Sequence, residues 1–191
     1  MTEPWDPRYV HLTFDDGPHP ESTPALLDAL VRSGQTATFF IWGEHAVAYP
    51  ELLRAIHSSG MTIGNHSFTH AHLPVLAPWA VADEIARTQR TVLELTGVLP
   101  TLFRPPYGET GPEIRAAAEQ AGLAETLWEV DIRDWAGAGA NAIVRSAESA
   151  GPGDIVLLHD GGYRSTVEAV PRILSSLSAR GLLPAGGGAG E

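Results

Sequence analysis

The sequence predicts an α/β protein built around a parallel sheet. Six short apolar runs each precede an amphipathic helical stretch, which is the pattern of repeated β-then-α units. The 191 residues suit one domain with a sizeable core, and no break in composition marks a second domain. We expect a single domain over residues 1–184, with its sheet either a closed barrel or a doubly wound layer. The glycine-rich tail, residues 185–191, is expected to be disordered.

Each predicted strand is a short run of β-branched, aromatic or other apolar residues that stops at polar or turn residues. The first run, for example, ends in two aspartates and is stopped by Gly17 and Pro18. The six predicted strands cover residues 9–15, 36–42, 61–65, 101–104, 126–131 and 154–159.

The predicted helices lie between these strands and after the last one, and the first three stop at glycine, a common residue at helix ends. The first helix carries apolar residues at positions 25, 26, 27, 30 and 31 and ends at Gly34. Gly60 and Gly97 follow the next two. The five later helices are predicted over residues 50–59, 81–95, 113–120, 142–149 and 167–180.

The charge balance favours some classes of binding partner over others. Twelve arginines, with no lysine, stand against 23 acidic residues and give a net charge of −11. This balance argues against nucleic acid or an anionic membrane as a partner and favours a neutral or cationic substrate. The chain has no cysteine, which excludes disulfides and thiolate metal sites. It also has no apolar run of transmembrane length and no signal-peptide pattern. A mature or trimmed form of a longer chain would lack the signal-peptide pattern in the same way.

Two adjacent aspartates, Asp15 and Asp16, end the first predicted strand. Their carboxylates repel each other, and each loses hydration when the chain folds. A bound cation is the simplest way to relieve that cost. If one aspartate binds the metal, its neighbour is free to act as a base.

Two histidines, His66 and His70, follow the third predicted strand at a spacing that lets both rings reach one metal ion. The alternative is a pair of surface histidines at accidental spacing. Together with Asp16 they give three protein ligands and one open position, the composition of a catalytic metal site. A zinc-protease helix would carry glutamate after the first histidine, where this chain has Ser67.

A rigid segment, Arg-Pro-Pro-Tyr-Gly at 104–108, follows the fourth predicted strand. Its prolines and glycine fix the backbone, so the Arg104 side chain and the Tyr107 amide are aimed in set directions. Arg104 is suited to pair with Asp15 and keep it charged. The alternative is an arginine that only braces a loop.

His159 ends the last predicted strand, at the same edge of the sheet as the other candidates. A histidine in that position is more often a packed core residue, but an aspartate partner would make it a proton donor. Trp135 is either core filling or a wall for a sugar ring. His72 is a candidate to support the metal pair. The remaining histidines are assigned no function: His11, His19, His45 and His57.

With these motifs in this order, the chain resembles the polysaccharide deacetylases with a NodB-homology domain, carbohydrate esterase family 4. The motifs are T-F-D-D-G-P at 13–18, H-S-F-T-H at 66–70, R-P-P-Y at 104–107, D-I-R-D-W at 131–135 and L-L-H at 157–159. Actinobacterial acetylxylan esterases and chitooligosaccharide deacetylases look most similar, and such proteins are usually secreted. The resemblance implies a distorted (β/α) barrel with fewer than eight strands, and its active site would lie at the carboxyl edge.

The resemblance also implies a metal centre and a base. Asp16, His66 and His70 would bind one divalent ion, zinc first and cobalt or nickel as alternatives. Asp15 would be the base that activates a water in the open position, and Arg104 would orient it.

The other motif residues would handle the acyl group and the leaving group. The Tyr107 amide would stabilise the oxyanion, and His159, oriented by Asp134, would protonate the leaving amine or alcohol. Leu157 would line the pocket for the acetyl methyl group, and Trp135 and Tyr107 would flank the substrate.

The substrate implied is an acetylated oligo- or polysaccharide, with chitin fragments and acetylxylan as the first candidates. A peptidoglycan N-acetylglucosamine deacetylase and an inactive carbohydrate-binding domain on the same fold are the alternatives. Binding alone needs neither the base nor the acid, and two-metal phosphoesterases need more ligands than three. We expect an extracellular, monomeric protein.

Overall fold

The computed structural model describes residues 5–187, which form seven strands and seven α-helices. The strands are β1 (His11–Asp15), β2 (Thr38–Ile41), β3 (Thr62–Asn65), β4 (Leu102–Phe103), β5 (Ala124–Glu125), β6 (Val130–Asp131) and β7 (Ile155–His159). The helices are α1 (Thr23–Ser33), α2 (Gly43–Ala48), α3 (Pro50–Ser58), α4 (Pro78–Thr96), α5 (Pro112–Gln120), α6 (Ala140–Ala147) and α7 (Arg164–Ala179). Within this range no helix has the length and apolar content needed to cross a bilayer.

The seven strands form one parallel sheet in the order β5-β4-β3-β2-β1-β7-β6. Neighbours in this order are also neighbours in the chain, apart from the β1–β7 pair, so the order does not reverse as it does in a doubly wound sheet. The prediction of a distorted barrel with fewer than eight strands is confirmed. In the described chain β5 and β6 end the sheet without pairing with each other, and we call this gap the seam.

The predicted strand at 126–131 is wrong in its extent, because only its last two residues form a strand and a second short strand lies just before it. Ala124–Glu125 pairs with β4, whereas Val130–Asp131 pairs with β7 at the far edge of the sheet. Residues 126–129 therefore cross the seam. A continuous run of β-forming residues cannot show that its two ends pair with different neighbours, since both pairings have the same local pattern.

Strand β1 shows how the barrel separates its inner and outer layers. All five of its residues are buried, and alternate side chains point to opposite faces of the sheet. Leu12 and Phe14 belong to the apolar layer that packs against the surrounding helices. Thr13 and Asp15 point into the barrel, where both contact the buried Arg104. The interior thus carries charged groups up to the carboxyl edge of the strands.

The tail differs from the predicted disordered segment as far as the structure describes it. Pro184 pairs with Val10 beside β1, and the amides of Gly186 and Gly187 donate to the Thr36 and Thr38 hydroxyls. A Cβ on Gly186 would lie 2.7 Å from the Thr62 hydroxyl oxygen. Close packing, rather than flexibility, accounts for glycine here, so the expectation of disorder is wrong for residues 185–187. Residues 188–191 lie outside the described range.

Candidate active site

A cleft of about 410 Å³ opens at the carboxyl edge of the sheet. It brings together side chains that lie in or follow six of the seven described strands, all but β2. Eight of the predicted site residues line it: Asp15, Asp16, His66, His70, Tyr107, Trp135, Leu157 and His159. The other two, Arg104 and Asp134, are buried behind its wall and touch it through Asp15 and His159.

Asp16, His66 and His70 form a cluster whose ligand atoms all lie within 4.8 Å of one another. Asp16 Oδ1 is 3.1 Å from His70 Nε2 and 3.5 Å from His66 Nε2. A tetrahedral ion with ligands at about 2.1 Å separates them by about 3.4 Å, so these distances fit one ion. His66 Nδ1 donates to the Arg104 carbonyl oxygen at 2.7 Å, which leaves the Nε2 lone pair facing the cluster.

The charges of the cluster also favour a cation at its centre. Burial raises the pKa of Asp16, but hydrogen bonds from His66 and His70 outweigh it and lower the pKa well below its usual range. Burial lowers the pKa of His66, whereas the charges of Asp15 and Asp16 raise it further, so its pKa lies above its ordinary value. These shifts favour positive charge among the three side chains, which a divalent ion would supply.

Asp15 lies beside this cluster but is bonded elsewhere. Its Oδ1 accepts a hydrogen bond from Arg104 Nη1 at 2.8 Å, and its Oδ2 is 3.8 Å from His66 Nε2. Both members of the Asp15–Arg104 pair are buried. Burial lowers the pKa of Arg104 and the neighbouring carboxylate opposes this shift, yet a guanidinium stays charged in proteins. Of the two aspartates, Asp16 is thus the one placed as a ligand.

Arg104 also spans the seam. Its Nε donates to the Thr126 carbonyl oxygen at 3.2 Å and its Nη2 to the Leu127 carbonyl oxygen at 2.8 Å. The guanidinium carbon lies 4.1 Å from the centre of the Phe40 ring, which packs under it. One side chain therefore joins Asp15 to the segment that crosses between β5 and β6.

His159 stands at the end of β7 and is held by Asp134. The Asp134 carboxylate accepts hydrogen bonds from His159 Nδ1 at 2.7 Å, the His159 amide at 2.9 Å and the Thr166 hydroxyl at 2.6 Å. Burial lowers the pKa of His159, but this bond and the charges of Asp134, Asp15 and Asp16 raise it to about 9. The ring is thus a proton donor at neutral pH.

Four residues of the site have left-handed backbone conformations, which cost side-chain-bearing residues on the order of 1 kcal/mol or more each. They are Asp16 (φ 74°), Ser67 (φ 64°), His70 (φ 57°) and Tyr107 (φ 61°). Strain of this kind persists only where surrounding contacts hold it. In the histidine loop, the Ser67 amide donates to Asn65 Oδ1 at 2.9 Å, and the His70 amide donates to the Ser67 hydroxyl at 3.2 Å.

Glu84, on the buried face of α4, holds the same loop and was not found from the sequence. Its carboxylate accepts hydrogen bonds from the amides of Phe68 and Thr69 at 2.9 and 2.7 Å, and from the Thr69 hydroxyl at 2.9 Å. The available signal was a glutamate at a position that the helical period buries, next to Val81 and Ile85. A buried acidic residue requires partners, and here these are the amides between the two histidines.

The predicted support of the metal pair by His72 is not what the structure shows. The His72 ring stacks on Tyr107 with 4.1 Å between ring centres and 9° between planes, and its Nδ1 lies 2.9 Å from Glu109 Oε2. The Tyr107 ring in turn meets His70 edge-on at 4.7 Å. His72 therefore braces the tyrosine wall of the cleft.

Asp160 explains the glycine after the aspartate pair. Its buried carboxyl accepts a hydrogen bond from Thr23 at 2.6 Å and lies so close that a Cβ on Gly17 would be 2.0 Å from its Oδ2. Its amide donates to the Asp15 carbonyl oxygen at 2.9 Å. Burial, together with the charges of Asp15 and Asp16, raises the pKa of Asp160 to about 7. Asp160 packs beneath the turn that carries Asp15 and Asp16.

Comparison with known proteins agrees with this geometry. Residues 2–126 match the sequence profile described as polysaccharide deacetylase. A chitooligosaccharide deacetylase from Bradyrhizobium sp. is 40% identical over 184 residues, covering 93% of this chain and 84% of the relative. A bifunctional xylanase/xylan deacetylase from Cellvibrio japonicus is 39% identical over 177 residues, which cover 92% of this chain but only 26% of that protein.

Two solved structures extend the comparison to the fold. A family 4 carbohydrate esterase from Streptomyces lividans, in complex with acetate, is 43% identical with a TM-score of 0.88, covering 92% of this chain and 91% of the other. A peptidoglycan deacetylase from Bacillus subtilis is 36% identical with a TM-score of 0.88, covering 95% and 89%.

Proposed function

Because the chain belongs to the polysaccharide deacetylase family, carbohydrate esterase family 4, we propose that it is a metal-dependent hydrolase that removes acetyl groups from carbohydrates. One observation carries the proposal. The Asp16–His66–His70 cluster opens into a cleft that also holds a buried carboxylate, Asp15, and a protonated histidine, His159. A ligand set, a base and an acid around one cavity are what hydrolysis of an acetyl group needs.

The metal ligands are Asp16, His66 and His70, whose mixed oxygen and nitrogen donors suit zinc, with cobalt and nickel as alternatives. When bound, the divalent ion supplies Lewis-acid polarisation and lowers the pKa of water. The protein holds these ligands in place through the Arg104 carbonyl, which accepts from His66, and through the Glu84 carboxylate, which accepts from two amides of the histidine loop.

Asp15 acts as the general base. Arg104 fixes its Oδ1, leaving Oδ2 on the side of the cluster, where it takes the proton of the attacking water. The Tyr107 amide, held by its left-handed backbone, donates to the oxyanion that develops on the acetyl carbonyl.

His159 acts as the general acid and gives its proton to the departing amine or hydroxyl oxygen of the sugar. Asp134 holds the ring through Nδ1, which leaves Nε2 as the donating atom. Leu157 supplies an apolar wall for the acetyl methyl group, and the half-exposed rings of Trp135 and Tyr107 supply surfaces for the sugar.

Acetate release tests the proposal directly. Protein stripped of metal with a chelator is expected to lose at least about 100-fold in rate, and stoichiometric zinc is expected to restore it, because the ion supplies the polarisation. The rates should be measured in parallel on acetylated chitooligosaccharides, acetylxylan and peptidoglycan. Full activity in protein shown to be metal-free by elemental analysis contradicts the mechanism.

The same assay separates the alternatives. The similarity to a chitooligosaccharide deacetylase favours N-acetyl groups on chitin fragments, while the xylan and peptidoglycan deacetylases among the relatives keep those substrates open. An inactive carbohydrate-binding domain would bind a sugar without releasing acetate. The polymeric substrate supports action outside the cell, which fractionation of the producing organism tests. The monomeric state stays a prediction, which light scattering tests.

Replacing Asp134 by Asn is expected to move the alkaline limb of the pH–activity profile to lower pH. His159 must be protonated to act as acid, so activity should fall as pH rises through about 9 in the wild type. Without the Asp134 charge the pKa of His159 falls towards its ordinary value near 6.5, although Asp15 and Asp16 still face it. The limb should shift by about 1 pH unit or more, measured as kcat/KM against pH.

The control is Asp83→Asn, at an exposed position on α4 whose charge is not among those that raise the pKa of His159. It should leave the profile in place. An alkaline limb that is the same in the Asp134 variant and the wild type means that His159 is not the acid that Asp134 controls.

A further inference from the structure

The junction between β2 and α2 connects the two loops that carry the metal ligands. Three successive backbone amides, those of residues 42–44, donate to carbonyl oxygens of Gly17, Ser67 and Phe68 at 2.9, 3.0 and 2.9 Å. The first of these acceptors follows Asp16, and the other two lie between His66 and His70. A segment outside all the family motifs thus sets the distance between the aspartate loop and the histidine loop.

His45, one residue further along, adds a side chain to this junction. Its Nδ1 lies 2.8 Å from the carbonyl oxygen of Asp16. A carbonyl oxygen can only accept a hydrogen bond, so Nδ1 must carry the proton and donate. This bond falls on Asp16, a ligand with a left-handed backbone (φ 74°), and such a conformation needs outside contacts to persist.

The Trp42 ring lies between His45 and His70, a second proposed metal ligand. The His45 ring stacks on the Trp42 indole at 4.1 Å with 20° between planes, and the other neighbour of Trp42 is His70 at 4.8 Å and 28°. His45 therefore contacts Asp16 by a hydrogen bond and His70 through one intervening ring. The other aromatic neighbours, His19 and Tyr49, are farther away, with ring centres 6.3 Å from that of His45.

We infer that His45 is a positioning residue of the metal centre, which holds the Asp16 backbone in its ligating conformation through the Nδ1 hydrogen bond. The inference rests on the proposed metal binding by Asp16, His66 and His70. Partners that bond the ligating side chains themselves typically contribute 10- to 100-fold in metal affinity, and we expect an effect of that order from this backbone bond.

Two substitutions test separately the contribution of the His45 hydrogen bond and that of its aromatic ring. His45→Phe keeps an aromatic ring to stack on Trp42 but removes the donor. His45→Asn removes the ring, while its side-chain amide nitrogen can occupy the place of Nδ1. The matched control is His57→Phe, at an exposed histidine near the end of α3.

The measurement is the dissociation constant for zinc, from competition with a chromophoric chelator, together with the melting temperature of the metal-free protein. His45→Phe should bind zinc about 10- to 100-fold more weakly than the wild type, whereas His45→Asn should stay within about threefold of it. The metal-free melting temperatures of the two variants should agree closely. The visible spectrum of the cobalt-loaded His45→Phe protein should also change.

A His45→Phe affinity equal to that of the wild type overturns the inference, and so does an equal loss in His45→Asn. If His45→Phe does not fold, His45→Gln takes its place, because its amide nitrogen lies where Nε2 was and misses the carbonyl. Failure of the wild type itself to bind zinc contradicts the proposed function instead, so the two failures are distinguishable.

Discussion

Replacing Asp15 by Asn is expected to lower kcat for acetate release by about 10²- to 10⁴-fold while leaving metal affinity close to that of the wild type. The amide keeps the size of the side chain but cannot take the proton of water. Asp15 Oδ1 contacts Arg104 rather than the ligand cluster, which is why the metal should stay. Steady-state acetate release and a zinc titration on the same preparation check both parts.

Asp16→Asn is the matched comparison, since it makes the same chemical change one residue along. It should weaken metal binding strongly, because Asp16 Oδ1 is the atom between His66 and His70. A variant of Asp15 that loses the metal, or a variant of Asp16 that keeps it, would show that the two roles are exchanged.

Replacing Arg104 by Met is expected to destabilise the fold by about 3–5 kcal/mol, the usual result of removing one partner of a buried ion pair. Asp15 would be left buried without its partner, and the carbonyl oxygens of Thr126 and Leu127 would lose their donor. Activity should fall with stability, because the base is no longer oriented. The free energy of unfolding from urea denaturation measures the first effect.

Arg90→Met, on the exposed side of α4, is the control and should change the free energy of unfolding by no more than about 0.5 kcal/mol. Equal stability of the Arg104 and Arg90 variants would contradict the structural role given to the buried guanidinium. The double variant Asp15→Asn/Arg104→Met should lose less free energy of unfolding than the two single variants added together, since it leaves no unpaired buried charge.

Much of the fold was predictable because its signal is local. Strands β1, β2 and β7 are largely apolar, buried runs, and helix ends at Gly34 and Gly97 have the left-handed backbone that favours glycine. Pairing partners are not local. The run at 126–131 therefore looked like one strand, and the tail at 185–187 looked free, although Thr36, Thr38 and Thr62 hold it.

The candidate site also has residues that could be predicted from the sequence and residues that could not. Side chains that carry chemistry stood out because their residue types cluster at strand ends, as with Asp15, Asp16 and His159. The residues that hold them did not, since Glu84 and His45 lie on helices with no motif around them. Their contribution is a hydrogen bond to a backbone group of a distant loop, which depends on the assembled fold alone.

Because Arg104 bonds both Asp15 and the segment that crosses the seam, redesign of that segment would also affect the base. Backbone bonds from the Thr126 and Glu129 amides to neighbouring strands hold the two ends of residues 126–129, but the Thr126 and Leu127 carbonyl oxygens accept from the same guanidinium that binds Asp15. Trp128, in this segment, lines the cleft. Engineering a wider entrance for bulkier glycans by shifting residues 126–129 would therefore detune the base at the same time. Grafted loops would need to keep the Thr126 and Leu127 carbonyls in place to widen the entrance without slowing turnover.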